Sequence, residues 1–176
     1  MKKLTTLLSF TLVLFMAMSC SNNKSLQSYL VESQEKDGFF YGDIPVSSLM
    51  TTKTKASEEV LETMKSIKKI NVAFLKKTAD NNEAYEKEKK ELNGILAQED
   101  YKNLMTMKTK GMNVKIYYTG DTNSIDEVIA FGYNKEAGVG VARLLGENMN
   151  PAKVIEMMNS INIDGDNIEK SFGSFF

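Results

Sequence analysis

The chain has 176 residues with 22 basic and 23 acidic side chains, and it contains no histidine, no tryptophan, one cysteine and one arginine, Arg143. Without histidine, Ser-His-Asp triads, Cys-His dyads, HExxH zinc sites and histidine proton shuttles are excluded, and a zinc site would need carboxylates alone, an unusual set for that metal. A near-neutral chain with one arginine lacks the clustered Lys and Arg of a nucleic-acid binder, so neither a nucleic-acid partner nor a metal or cofactor is expected.

Met1-Lys2-Lys3 is a short basic start, and Leu4 to Met16 is a mostly apolar run in the range of a secretory hydrophobic region. It is too short to span a bilayer, which needs ~20 residues. Ala17-Met18-Ser19 then leads into Cys20 and the polar run Ser21-Asn22-Asn23-Lys24. This arrangement resembles a bacterial lipoprotein signal peptide, with Ala17 where leucine is most usual. The resemblance implies that Cys20 becomes the first mature residue and carries the lipid. A cysteine at the boundary of a leader has no core to enter, and two or more acyl chains at ~0.8 kcal/mol per buried methylene make attachment to a bilayer effectively permanent. With residues 1–19 removed, 20 basic and 23 acidic side chains remain, a net charge of −3.

From Cys20 to Lys36 the chain reads as a polar tether with a short helix around Leu26, Tyr29, Leu30 and Val31. "GFFYGDIPV", Gly38 to Val46, has strand composition closed by Pro45, and Ser47 caps a helix through Leu49 and Met50. A second helix starts at Ser57, with Val60, Leu61, Met64 and Ile67 at helical spacing. Ile70, Val72 and Phe74 then alternate as a strand. Asp80 with Glu83 resembles a capping box for a charged helix with a thin seam of Tyr85, Leu92, Ile95 and Leu96. Four strands follow, joined by connections short enough to require antiparallel neighbours: Leu104 to Lys110, the run of Met112, Val114, Ile116 and Tyr118, the run of Ile125 to Tyr133, and Val139 to Leu145. Asn150-Pro151 opens a last helix through Val154, Ile155 and Met158.

The order strand, helices, strand, helix, four strands, helix predicts an α+β domain, a mostly antiparallel sheet with helices packed on one face. The expected organisation is a signal peptide over 1–19, a lipidated tether over 20–37, one domain over 38–164 and a polar, aromatic tail over 165–176. The lipobox at Cys20, "FFYGDIPVSSLM", "SEEVLETMKSIKKINVAFL" and "MNVKIYYTGDTNSIDEVIAFGYNKEAGVGVARLLGE" together resemble the small lipoprotein family catalogued as domain of unknown function 4252. The resemblance implies an envelope lipoprotein of a Bacteroides-like bacterium and brings no catalytic residues with it.

Candidate sites are few. "INIDGDNIE", Ile161 to Glu169, looks like a calcium loop, but Ser171 falls where a bidentate Glu is required. Gly138, Gly140 and Gly146 fail a dinucleotide fingerprint because Arg143 stands where the last glycine should be. Arg143 could clamp a carboxylate or phosphate, although an ion pair to Glu127 or Glu147 is the plainer role. Asp121, Asp126 and Glu127 cluster near one turn and could supply paired carboxylates, while turns also attract Asp for backbone reasons. The methionines read as adaptable core filler or an adaptable binding face. The tail "SFGSFF" exposes Phe172, Phe175 and Phe176 unless they dock.

The functional expectation is a lipid-anchored protein of the outer membrane facing the periplasm, bound to the bilayer through acylated Cys20. Its domain is expected to be a noncatalytic binding or regulatory module that presents a sheet face or its Phe-rich tail to an envelope protein. The competing reading is a hydrolase or lyase using Asp121, Asp126 and Glu127 near Arg143.

Overall fold

The structure is a computed structural model and describes residues 24–44, 58–109 and 111–160. The leader, Cys20, the helix expected after Ser47, the calcium-like loop and the aromatic tail lie outside the described residues.

The described chain folds as α1 (Leu26–Ser33), β1 (Phe39–Ile44), α2 (Glu58–Ser66), β2 (Ile67–Lys76), α3 (Asn82–Ile95), β3 (Lys102–Thr109), β4 (Met112–Asp121), β5 (Ser124–Asn134), β6 (Gly138–Met149) and α4 (Pro151–Ser160). All six strands form one sheet in the order β1-β2-β6-β5-β4-β3, and every pairing is antiparallel. The expected α+β class and the meander of the last four strands are therefore present. The meander ends beside β2, so β6, the last strand in sequence, sits inside the sheet.

The expectation of helices on one face is corrected. Successive strand residues point to opposite faces, and both faces carry a core. On one face α1 and α3 pack Leu26, Tyr29, Leu30, Tyr85, Leu92 and Ile95 against Ala73, Leu75, Ile129, Phe131, Val139 and Val141. On the other, α2 and α4 pack Met64, Val154 and Met157 against Ile67, Ile116, Ile125, Val128 and Met149. The reason lies in the central strands, where apolar residues occupy both parities, as in Val141-Ala142 and Ile129-Ala130. Such strands need cover on both sides.

Two details of the strands also differ from the alternation read off the sequence. In β2 the buried residues are Ile67 at its start and then Asn71, Ala73 and Leu75, while Ile70, Val72 and Phe74 are half-buried. Ile125 belongs to the opposite core from Ile129, because a bulge between Ile125 and Glu127 inserts Asp126 and reverses the parity.

The segment expected to be tether is also corrected, since α1 is part of the domain. Ser25 caps it by accepting a hydrogen bond from the Ser28 N–H at 3.1 Å. Leu26, Tyr29, Leu30 and Ser33 then recur at i, i+3, i+4 and i+7 and are all buried. Each leucine so buried contributes about 1.5–3 kcal/mol, which a solvated tether would not gain. Helix α3 begins after Asn81, not Asp80. The Asn81 side chain accepts from the Thr78 N–H and donates to the Lys76 carbonyl, so it fastens the preceding turn. At α4 the expected cap holds, with Asn150 Oδ1 accepting from Ala152 N–H at 3.0 Å.

Gly138 and Gly140 are explained by close strand approach. A Cβ on Gly140 would lie 2.4 Å from the Ala73 carbonyl oxygen and 2.7 Å from the Phe74 ring, and Gly138 adopts φ +137° against the Leu75 carbonyl. No side chain fits there.

Candidate functional site

Arg143 and Glu127 are brought together, and Asp121 and Asp126 are left apart from them. Arg143 and Glu127 project from neighbouring β6 and β5 onto the face covered by α1, where they form an ion pair, and Arg143 Nη1 also donates to Gln27 Oε1 of α1. Arg143 is 8% exposed. Its Nε has no hydrogen-bond partner among the described residues. Each Nη is engaged, one by an amide and one by a carboxylate, and the group is buried, so Arg143 braces α1 and does not present an open clamp to a ligand. Glu147, the other partner considered, pairs instead with Lys68 in solvent.

Asp121 ends β4 opposite Ser124 and is exposed, and Asp126 sits exposed in the bulge beside Gly120. The three carboxylates thus face different surroundings, because the bulge that turns Asp126 outward leaves Glu127 on the covered face. An acid/base pair needs two carboxyl groups converging on one substrate atom. Glu127, engaged by Arg143, is not free to serve in one.

Beside Arg143 on the same face, the register places Asn71 opposite Arg143 and Asp43 opposite Asn71. Asp43 accepts from Asn71, from the Tyr41 hydroxyl at 2.9 Å and from Lys69 Nζ at 2.7 Å. Partial burial opposes its ionisation, but these three donors outweigh that and hold its carboxyl below the usual range. A second polar cluster ties α1 to α3. Lys36 Nζ reaches both oxygens of the buried Glu88 at 2.9 Å and lies 4.8 Å from the Tyr29 ring centroid. Burial, reinforced by the Glu88 charge, pushes the Tyr29 phenol far above its ordinary value. No acceptor meets Tyr29 Oη at hydrogen-bonding geometry among the described residues. Lys24, just before α1, bonds Glu32 and Glu91, and its carbonyl accepts from Gln98 at 2.9 Å. The start of α1 is therefore fixed to the C-terminal part of α3 and to the turn that follows it.

Sequence reasoning did not find an open groove of about 400 Å³ lined by Tyr85, Lys89, Gly111, Asn113, Tyr133 and Asn134. It forms where α3 passes the β3–β4 and β5–β6 turns. Lys89 Nζ lies over both tyrosine rings, 5.7 Å from Tyr85 and 5.4 Å from Tyr133, and pairs with Glu86 at 3.2 Å. Asn134 Oδ1 is used within its own turn, accepting from Glu136 and Ala137 N–H groups. The only sequence signal was the turn "NKEAG", which gave no hint that α3 would pass over it. Among the described residues no group of three or more Asp, Glu, Cys or His gathers to hold a metal, and no helix is long and apolar enough to cross a membrane.

Among the described residues these features define an antiparallel six-stranded sheet between two helix pairs, a buried arginine that braces α1, and an open polar groove. The chain belongs to the family described as Domain of unknown function (DUF4252), whose model matches residues 29–157. The match opens inside α1 and closes inside α4, so it takes in helices from both faces. No curated protein and no solved structure matches.

Proposed function

We propose that this protein is a lipid-anchored envelope lipoprotein whose domain acts as a noncatalytic binding or regulatory module close to a membrane. The observation that carries the reading is the position of α1. Only three residues, Ser21 to Asn23, separate Cys20 from Lys24, whose carbonyl is bonded to Gln98, and the four Cα steps between them reach about 14 Å when extended. An acylated Cys20 would therefore hold the folded domain against the bilayer without a long stalk. Ser21, in place of the aspartate that marks inner-membrane retention in well-studied lipoproteins, favours the outer membrane, with the domain facing the periplasm. The commitment of Glu127 to Arg143 weighs against the carboxylate hydrolase or lyase. A groove with donors and aromatic rings suits binding better than proton transfer.

Mass spectrometry of the full-length protein recovered from membranes tests the anchor. The N-terminal peptide should begin at Cys20 and carry acyl chains, and Cys20→Ala should release the protein from membranes. An unmodified Cys20, or unchanged membrane attachment of the alanine variant, would refute it. Crosslinking in intact cells followed by pull-down tests the module: an envelope protein should be recovered with the domain. Capture of nothing, together with turnover of a glycan or peptide that is lost in Asp126→Asn, would replace binding by catalysis.

A further inference from the structure

The groove beside Lys89 has walls fixed by packing and a charge opposite in sign to that of the chain. On the face covered by α1 and α3, Tyr133 stands opposite Asn113, and Asn113 stands opposite Lys108. Tyr133 packs half-buried against the core of that face, and Tyr85, 1% exposed, reaches it from α3. Lys89 keeps its ammonium over both rings, with its side chain 27% exposed. At the far wall Gly111 adopts φ +79°, and a Cβ there would meet Asn134 Nδ2 at 3.1 Å. The amide nitrogen of Asn134 therefore faces Gly111, while its Oδ1 is held by its own turn. Lys89, Lys108, Lys115 and Lys135 line or flank the groove against Glu86 and Glu136, so the local balance is positive in a chain of net charge −1. Lys115 is bonded to the neutral Asn93 at 3.3 Å. The Lys89–Glu86 pair is solvent-exposed and weak, and it uses one of three ammonium donors.

We infer that this groove binds an anionic saccharide, a sugar ring bearing a carboxylate or a phosphate. The anion sits at Lys89 and Lys135, a face of the ring lies against Tyr133, and the hydroxyls meet Asn113 and Asn134. The inference deepens the binding-module reading and rests on it. A volume of about 400 Å³ falls in the range of small-molecule sites and exceeds what a bare phosphate fills. Asn113 can donate and accept, and Asn134 Nδ2 can donate, which suits hydroxyl groups that do both. A tyrosine ring offers the apolar surface that the C–H face of a sugar needs. An extended peptide would instead seek unpaired backbone groups at a sheet edge, and here the Glu136 and Ala137 N–H groups of the lining turn are already bonded to Asn134. Lysine ammonium groups attract the anion through charge, and clustering them gives an otherwise acidic chain one place where its field favours such a ligand.

Calorimetric titration and saturation-transfer NMR on the full-length protein in detergent micelles test it, with glucuronate, glucose 6-phosphate, glucose and inorganic phosphate as probes. At least one of the two anionic sugars should bind about tenfold more tightly than glucose and than phosphate, and the preferred one tells carboxylate from phosphate. Lys89→Met, Lys135→Met and Asn113→Leu should each weaken that binding by about tenfold, the loss expected for one polar contact to the ligand. Lys68→Met, at the exposed pair with Glu147, should leave it unchanged. If Lys89→Met fails to fold, the exposed Lys135→Met decides. Absence of binding by both anionic sugars, equal binding of glucose or of phosphate, or binding unchanged in Lys135→Met and Asn113→Leu would overturn the inference. Capture of an envelope protein by crosslinking while neither sugar binds would sink this inference alone. Consumption of the bound sugar would keep the site and sink the noncatalytic reading.

Discussion

Arg143 and Glu127 form their ion pair on a diagonal of the ladder, because Arg143 stands opposite Ile129 and Glu127 opposite Leu145. Diagonal neighbours two residues out of register are within reach of long side chains, and here the reach also places the guanidinium under Gln27. Glu127→Ala should leave Arg143 buried with only the amide and cost about 3–5 kcal/mol. Replacing both partners, Arg143→Met with Glu127→Leu, should be neutral or stabilising by the same reasoning. Denaturant titration of the two variants measures this, and a double variant as unstable as Glu127→Ala would show that the pair is not mainly a local ionic brace.

Helix α1 should be energetically part of the domain. Leu30→Ala removes a side chain 1% exposed from the core beneath α1 and should cost about 2–5 kcal/mol in a single cooperative transition. A cost below about 0.5 kcal/mol would return residues 26–33 to the tether.

Gly140→Ala should destabilise by about 1–3 kcal/mol, since the added methyl must displace backbone at Ala73 as well as the Phe74 ring. Gly94→Ala offers the contrast, because nothing lies within 4 Å of its added Cβ on α3. That variant should gain up to about 1 kcal/mol from helix propensity. Thermal melts of the two proteins should move in opposite directions.

Tyr29 makes stability depend on alkaline pH. Its phenol releases a proton at the ordinary 10.0 in the unfolded chain but holds it well above that when folded, chiefly through burial. Above pH 10 the unfolded state therefore binds fewer protons than the folded one, and stability falls as pH rises. The contribution is intact below pH 10. Tyr29→Phe should flatten this alkaline slope, with a remainder from Tyr41, Tyr85 and Tyr101, whose phenols burial also raises. Near neutral pH the same substitution should change stability by less than about 1 kcal/mol, as Oη has no acceptor to lose. Chemical denaturation from pH 7 to 11 measures both effects.

Asp121→Asn and Asp126→Asn should each stay within about 0.5 kcal/mol of the parent, as exposed substitutions away from special contacts do. A large loss at either position would show that the exposed carboxylates hold the β4–β5 turn in place.

The sequence by itself determined the α+β class, the antiparallel meander, the Asn150 cap and an ion-pair role for Arg143 with Glu127 or Glu147, between which the fold chose Glu127. These rest on local physics: alternation at period two, helical spacing, turn residues, and the rule that a lone buried guanidinium needs a carboxylate. Cys20 belongs to the same kind of reading, as a pattern at the start of the chain that the fold does not address. Tertiary structure decided the rest. Two helix pairs on opposite faces follow from which strand lies inside the sheet, and β6 comes to lie between β2 and β5 only through pairing across more than sixty residues. The bulge at Asp126 reversed Ile125 without any local signal, since one inserted residue looks like ordinary alternation until its partners are fixed. Helix α1 read as tether because four buried positions among polar neighbours give a weak period, and only the sheet beneath it supplies the apolar surface that makes them core. The groove beside Lys89 was invisible for the same reason, since its walls come from α3 and two turns that meet only when the sheet closes.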